Sequence, residues 1–195
     1  YTYDYTTDAI VCPAITLRDV SIGGFWRGVN MTSGYYSNLA RCEFTRNATH
    51  ILLTGCYNVN LYGCAFIDES TWGYGTATCI EAGTVRSLNI FGGSLEGYSR
   101  GIVASSGSGV HLYGVYFETG VDMNAIGVYL GATAGANLHM TGCTIYLNGH
   151  APFVYAQDGA TETSITSSGN FFCSGGAGSN AGTAFSLSAD LSCRN

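Results

Sequence analysis

Glu96 and Glu118 stand 22 residues apart, and Asp68 and Glu69 precede them, in a chain of 195 residues that holds only 13 Asp and Glu. Carboxyls brought side by side repel, which raises the pKa of one and leaves the other ionised. That is the division of labour between a general acid and a base or nucleophile. Separations of about 5 Å or about 10 Å come near those of retaining and inverting glycosidases. Residues able to hold a sugar lie around these acids. Trp72 and Tyr74 occupy the stretch Ser70-Thr71-Trp72-Gly73-Tyr74, and Tyr98 and Arg100 follow Glu96 in Glu96-Gly97-Tyr98-Ser99-Arg100. A plainer reading competes, in which the acids are solvated carboxylates on a loop edge and Glu96 pairs with Arg100.

What would position these residues is a repeat. Ile22, Phe44, Phe66, Leu95, Phe117, Ile145 and Phe172 form one apolar column. Val29, Ile51, Ile80, Ile102, Val128, Val154 and Phe185 form a second. Leu17, Leu39, Leu61, Ile90, Leu112 and Met140 form a third, with Ser167 as its exception. The minimal spacings between columns are 7, 10 and 5 residues, which sum to 22, so each unit reads as one turn of a solenoid. Within Val110-His111-Leu112-Tyr113 and Asn137-Leu138-His139-Met140-Thr141 apolar and polar residues alternate with period two, the mark of strands. Residues 1–195 therefore read as one all-β domain, a right-handed single-stranded parallel β-helix of about seven to eight coils. Its coils bury their faces only by stacking at about 4.8 Å.

The step from the first column to the second takes 7 residues after Ile22, Phe44 and Leu95, but 14 after Phe66, 11 after Phe117, 9 after Ile145 and 13 after Phe172. Insertions gathered on one edge of a solenoid build a binding side. The acids gather there too: Ile67, Glu96, Glu118, Tyr146 and Cys173 follow the first column in successive coils. The short coil between long neighbours predicts a groove floored by Glu96, Tyr98 and Arg100 and walled by the Trp72 loop.

Two outward rows follow from the alternation. On the third strand Asn60, Asn89, His111 and His139 share one row, and Tyr62, Phe91, Tyr113 and Thr141 the next. Tyr62, Phe91 and Tyr113 read as a flat platform for sugar CH faces, with His111 and the amides taking hydroxyls. The alternative is packing against a partner chain. On the second strand the outward row is Asn30, Leu52, Glu81, Val103, Tyr129, Tyr155 and Ser186, and its Leu52, Val103, Tyr129 and Tyr155 are too apolar for a bare face, which predicts burial between protomers.

Composition narrows the classes. Only 10% of residues are charged and the net charge is −6, so the seven Lys and Arg cannot form a phosphate-neutralising stripe and nucleic acid is not a partner. No apolar run approaches the roughly 18 residues of a membrane span. Of the 8 cysteines, Cys42, Cys64 and Cys143 share one repeat position with Val20, Gly93 and Val115 and read as stacked buried thiols, a Cys42–Cys64 bridge being the alternative. No CxxC occurs, and His111 and His139 have no third ligand in register, so neither metal nor cofactor is expected. Asn30-Met31-Thr32 and Asn47-Ala48-Thr49 are glycosylation sequons that matter only in a secreted eukaryotic chain. Opening at Tyr1 without Met in strand-like sequence, the chain reads as a processed product or a piece of something longer.

The phrase Val59-Asn60-Leu61-Tyr62-Gly63-Cys64-Ala65-Phe66, repeated as Val110-His111-Leu112-Tyr113-Gly114-Val115-Tyr116-Phe117, resembles the pectate-lyase-like superfamily of right-handed β-helices. Low charge and a surface rich in Gly, Ser and Tyr look most like bacteriophage tailspike domains. That resemblance implies a homotrimer on a virion tail or cell surface that binds a bacterial surface polysaccharide and, as a depolymerase, hydrolyses it. The rival class is a non-catalytic adhesin or tail-fibre shaft. The calcium-binding acids of pectate lyases and the signatures of polygalacturonases are absent.

Overall fold

The computed structural model describes residues 4–68, 77–105, 107–119, 125–131, 135–147, 151–157, 163–174, 185–186 and 193–194. Three parallel sheets of eight, eight and seven strands stack into a β-solenoid, and no helix occurs among the described residues. Sheet A comprises Asp4–Cys12, Phe25–Thr32, Thr49–Thr54, Thr78–Ala82, Arg100–Ala104, Ile126–Leu130, Val154–Ala156 and Phe185–Ser186. Sheet B comprises Thr16–Arg18, Tyr35–Ala40, Tyr57–Tyr62, Leu88–Phe91, Gly109–Tyr113, Asn137–Thr141, Ser164–Ser168 and Cys193–Arg194. Sheet C comprises Ser21–Gly23, Glu43–Thr45, Ala65–Ile67, Ser94–Glu96, Tyr116–Glu118, Thr144–Leu147 and Phe171–Ser174.

Every member of the three apolar columns pairs with the next. Sheet C aligns Ile22, Phe44, Phe66, Leu95, Phe117, Ile145 and Phe172. Sheet A aligns Val29 through Phe185, and sheet B aligns Leu17 through Ser167. Like side chains then stack in the bore: the Phe44 and Phe66 rings lie 5.0 Å apart and 7° from parallel. Ser167 is tolerated in its column because its hydroxyl accepts a 2.8 Å hydrogen bond from Asn170 Nδ2, whose Oδ1 accepts from the Cys143 N–H.

The corner from sheet B to sheet C has a stereochemical cause. Asp19, Arg41, Gly63, Gly92, Gly114, Gly142 and Gly169 all hold φ between 51° and 63°. Glycine enters that left-handed region without steric cost, which explains its return after Leu-Tyr in the repeat phrase. Asp19 and Arg41 fill the same position by pairing with each other, at 2.6 and 2.7 Å.

Buried polar side chains close the other corners. Asn47, 2% exposed, accepts from the Phe25 N–H at 3.0 Å and donates to the Ile22 carbonyl and to His50 Nδ1 at 3.1 Å each. The sequon at Asn47 is therefore closed to modification, because its amide is consumed inside the wall. Cys42, Cys64 and Cys143 are buried free thiols, and seven cysteines among the described residues are unbridged.

Candidate functional site

The acid edge lies where sheet C turns toward sheet A. Glu96 pairs directly with Glu118 on the next strand and with Ile67 on the previous one, which sets the two glutamates one strand spacing apart, about 4.8 Å between backbones. Asp68 follows Ile67, and its N–H donates to the Glu96 carbonyl at 3.0 Å. Gly97 holds the turn at φ +71°, and a Cβ there would come 2.2 Å from the Asp68 carbonyl oxygen. All three acids are half-buried. The Tyr116 hydroxyl donates to Glu118 Oε2 at 2.8 Å, and that bond is the main reason its pKa is pushed up to about 12.

Burial raises the pKa of the Asp68 carboxyl. Cys79 lies beneath this edge; burial first, then the charges of Asp68 and Glu96, push its thiol well above the ordinary range, so it stays protonated and unreactive. The arrangement joins one carboxyl whose charged form is disfavoured by burial to two stacked neighbours, a set of groups able to give and take a proton.

Two residues expected on the groove floor lie elsewhere. Tyr98 is fully buried, and its hydroxyl has no partner. The left-handed turn at Gly97 sends the next side chain into the bore, where the ring fits because residue 101 is glycine: a Cβ on Gly101 would lie 3.2 Å from Tyr98 Cζ. Phe153 uses Gly127 in the same way. Arg100 opens a sheet A strand and sits over the Tyr129 ring at 4.9 Å, and ion pairs among the described residues join Arg27 to Asp8 and Arg41 to Asp19. Glu69, Trp72 and Tyr74 lie outside the described residues.

The outward face of sheet B carries the predicted rows and alters their meaning. Tyr62, Phe91 and Tyr113 stack with centroids 5.1 Å apart and planes 8° from parallel. Phe91 therefore turns its faces to its neighbours, and the surface meets ring edges where a platform of open faces was expected. His139 packs beside Tyr113 at 5.7 Å. The row between is an amide ladder, in which Asn89 Nδ2 donates to Asn60 Oδ1 at 2.9 Å and Asn60 Nδ2 to Asn38 Oδ1 at 3.1 Å. It continues through His111 and His139, 6.2 Å apart, and burial together with His139 lowers the His111 pKa.

Sequence reasoning missed the second stack, on the far side of the ladder. Tyr35 and Tyr57 lie 4.8 Å apart and 5° from parallel, with Arg86 over Tyr57 at 5.7 Å. Alternation concealed it, because Tyr36 and Asn58 at φ +53° and +54° bulge the strands and break the period of two ahead of the inward Ser37 and Val59. The paired aromatic at positions 35 and 57, one 22-residue unit apart, was the available signal.

Fold and face together define a parallel β-solenoid protein with a ladder of amides between two aromatic stacks. Compared with known proteins, the chain matches no family model, no curated protein and no solved structure.

Proposed function

We propose that this chain binds a bacterial surface polysaccharide as a tailspike-like β-helix of the pectate-lyase-like kind, working as a homotrimer on a virion tail or cell surface. The observation that carries the reading is the sheet B face. Its amides, imidazoles and hydroxyls are spaced one strand apart along the axis and bordered by aromatic stacks on both sides. Sugars present alternating hydroxyl and apolar CH surfaces, which such a face can meet at every rung. The outward row of sheet A supports self-association, since the half-exposed Val103, Tyr129 and Tyr155 follow one another on three rungs and Leu52 lies beyond the exposed Glu81.

Hydrolysis is a second reading, favoured by the raised Asp68 beside Glu96 and Glu118. One of these acids protonates the glycosidic oxygen while another activates water or attacks the sugar. The experiment is oligosaccharide release from a bound polysaccharide by the unmodified protein and by Glu96→Gln, Glu118→Gln and Asp68→Asn. Release should fall by about 10²-fold or more in the variants that remove a catalytic group, with glycan affinity retained and stability changed by under about 0.5 kcal/mol. Unchanged release from all three variants eliminates these acids. Binding without release by the unmodified protein leaves the adhesin or tail-fibre shaft.

A further inference from the structure

One ring is missing from the Tyr62 stack. The row runs Arg18, Ala40, Tyr62, Phe91, Tyr113 on successive strands of sheet B. Tyr62, Phe91 and Tyr113 each hold a six-membered ring, 5.1 Å from the next, before the row goes on to Thr141 and Ser168. At Ala40 the side chain stops at a methyl, and one rung beyond stands the exposed Arg18. The face of Tyr62 turned away from Phe91 thus looks across a gap between positions about 9.6 Å apart, two strand spacings. The stack itself gauges the opening, since it shows that one rung accommodates one six-membered ring. Asn38 borders the gap in the neighbouring row; its oxygen is taken by Asn60, and its N–H groups have no part in that bond. At the other end the next rung is Thr141, hydrogen-bonded to His139 at 3.0 Å, and the tilted His139 ring lies 5.7 Å from that of Tyr113; Tyr57 is covered by Tyr35 and Arg86.

Charge says what would fill it. The chain carries a net charge of −6, yet none of the eight strands of sheet B contains Asp or Glu. Sheet A strands hold Asp4, Asp8 and Glu81, and sheet C strands hold Glu43, Glu96 and Glu118. The acid nearest the gap in sequence, Asp19, is held by Arg41 through two hydrogen bonds. Sheet A strands also carry Arg27, which pairs with Asp8, and Arg100, so it is sheet C, with three acids and no cation on its strands, that repels an anionic polymer, while sheet B meets one with Arg18 and Arg86, both exposed.

We propose that sheet B holds a linear acidic glycan laid along the solenoid axis, with one pyranose seated in the gap over Ala40. Its apolar face lies on Tyr62, its carboxylate meets Arg18, and its hydroxyls meet Asn38. Further sugars follow the amide row toward Asn60 and Asn89. This inference rests on the polysaccharide-binding reading above and adds the charge of the ligand, its direction and the seat of one sugar.

The test is an array of purified bacterial capsular and O-antigen polysaccharides, followed by titration of each bound polymer and of the same polymer with its carboxyls chemically reduced to alcohols. Acidic polymers should bind, and carboxyl reduction should weaken them at least about tenfold, as expected for loss of a charge-assisted contact. Ala40→Tyr extends the existing stack, so it should keep the unfolding temperature and lose at least about tenfold in affinity. Arg18→Gln should weaken the acidic polymer and leave the reduced one unchanged. Tyr62→Ala should weaken both forms. Neutral polymers bound as well as acidic ones, or a folded Ala40→Tyr with unchanged affinity, overturns the acidic-glycan seat while the broader reading stands. Should Ala40→Tyr fail to fold, the Arg18→Gln and Tyr62→Ala titrations decide alone, and unchanged affinity in both overturns the seat. An array without any bound polymer removes the polysaccharide reading and this inference with it. Self-association lost in Ala40→Tyr without glycan binding assigns the face to a second copy of the chain.

Discussion

His50 shows how burial rewrites the chemistry of a single residue. It is fully buried, its ring 6.3 Å from that of Phe44 and 6.0 Å from that of Phe66. Asn47 donates to its Nδ1, so the proton sits on Nε2, which has no partner. Charging the ring there would strand a cation in the bore, and burial lowers its pKa to about 3. The folded value lies below the unfolded value of about 6.5, so the neutral ring's contribution is complete above that pH and is lost as pH falls toward 3, by at most about 1.4 kcal/mol per pH unit. Thermal unfolding of the unmodified protein should therefore decline more steeply between pH 6 and 4 than that of His50→Gln. Parallel declines would show that His50 takes up its proton in the folded state.

Among the elements, the left-handed corners and the close-approach corners place different demands on glycine, and Gly92 and Gly93 display both side by side. A Cβ on Gly92, at φ +63°, would meet nothing within 4 Å, whereas one on Gly93, at φ +83°, would lie 2.1 Å from the Cys64 carbonyl oxygen. Gly92→Ala should then cost about 1–2 kcal/mol, the backbone preference alone. Gly93→Ala should cost on the order of 3 kcal/mol or more, because a wall strand must move. Chemical denaturation of the two variants measures the difference, and equal losses would refute the distinction. The backbone of the first corner admits other residues, as Asp19 and Arg41 show, and their mutual pairing leaves the fold undisturbed.

For the whole molecule, the solenoid sorts its surface by sheet: acids on A and C, none on the strands of B, and an apolar row on A. On sheet A, Tyr129 and Tyr155 lie 5.5 Å apart, and Arg100 covers one ring without hiding Leu52 or Val103. If the proposed homotrimer buries this row, Val103→Asp combined with Tyr129→Asp should dissociate it, because each protomer would lose two apolar contacts and bring two carboxylates, only one of them near Arg100, into the interface. Light scattering of the unmodified protein and the double variant reads the outcome. A monomeric unmodified chain would contradict it.

The periodicity of apolar residues by itself determined the solenoid and its register, because a period of two leaves each strand only one side that can face the bore and stacking requires like positions to recur. The three columns, the shared position of Cys42, Cys64 and Cys143, and the adjacency of Glu96 and Glu118 were legible for that reason. Only the tertiary structure decided what happens between the columns. The turn at Gly97 sent Tyr98 into the bore, a bulge hid the Tyr35–Tyr57 stack, and mutual packing closed the ring faces of the Tyr62 row. The same packing left the gap over Ala40. Periodicity carries the in-or-out choice of a strand residue, but a corner residue answers to backbone dihedrals and to the neighbouring coil, and an exposed ring to the ring on the next rung.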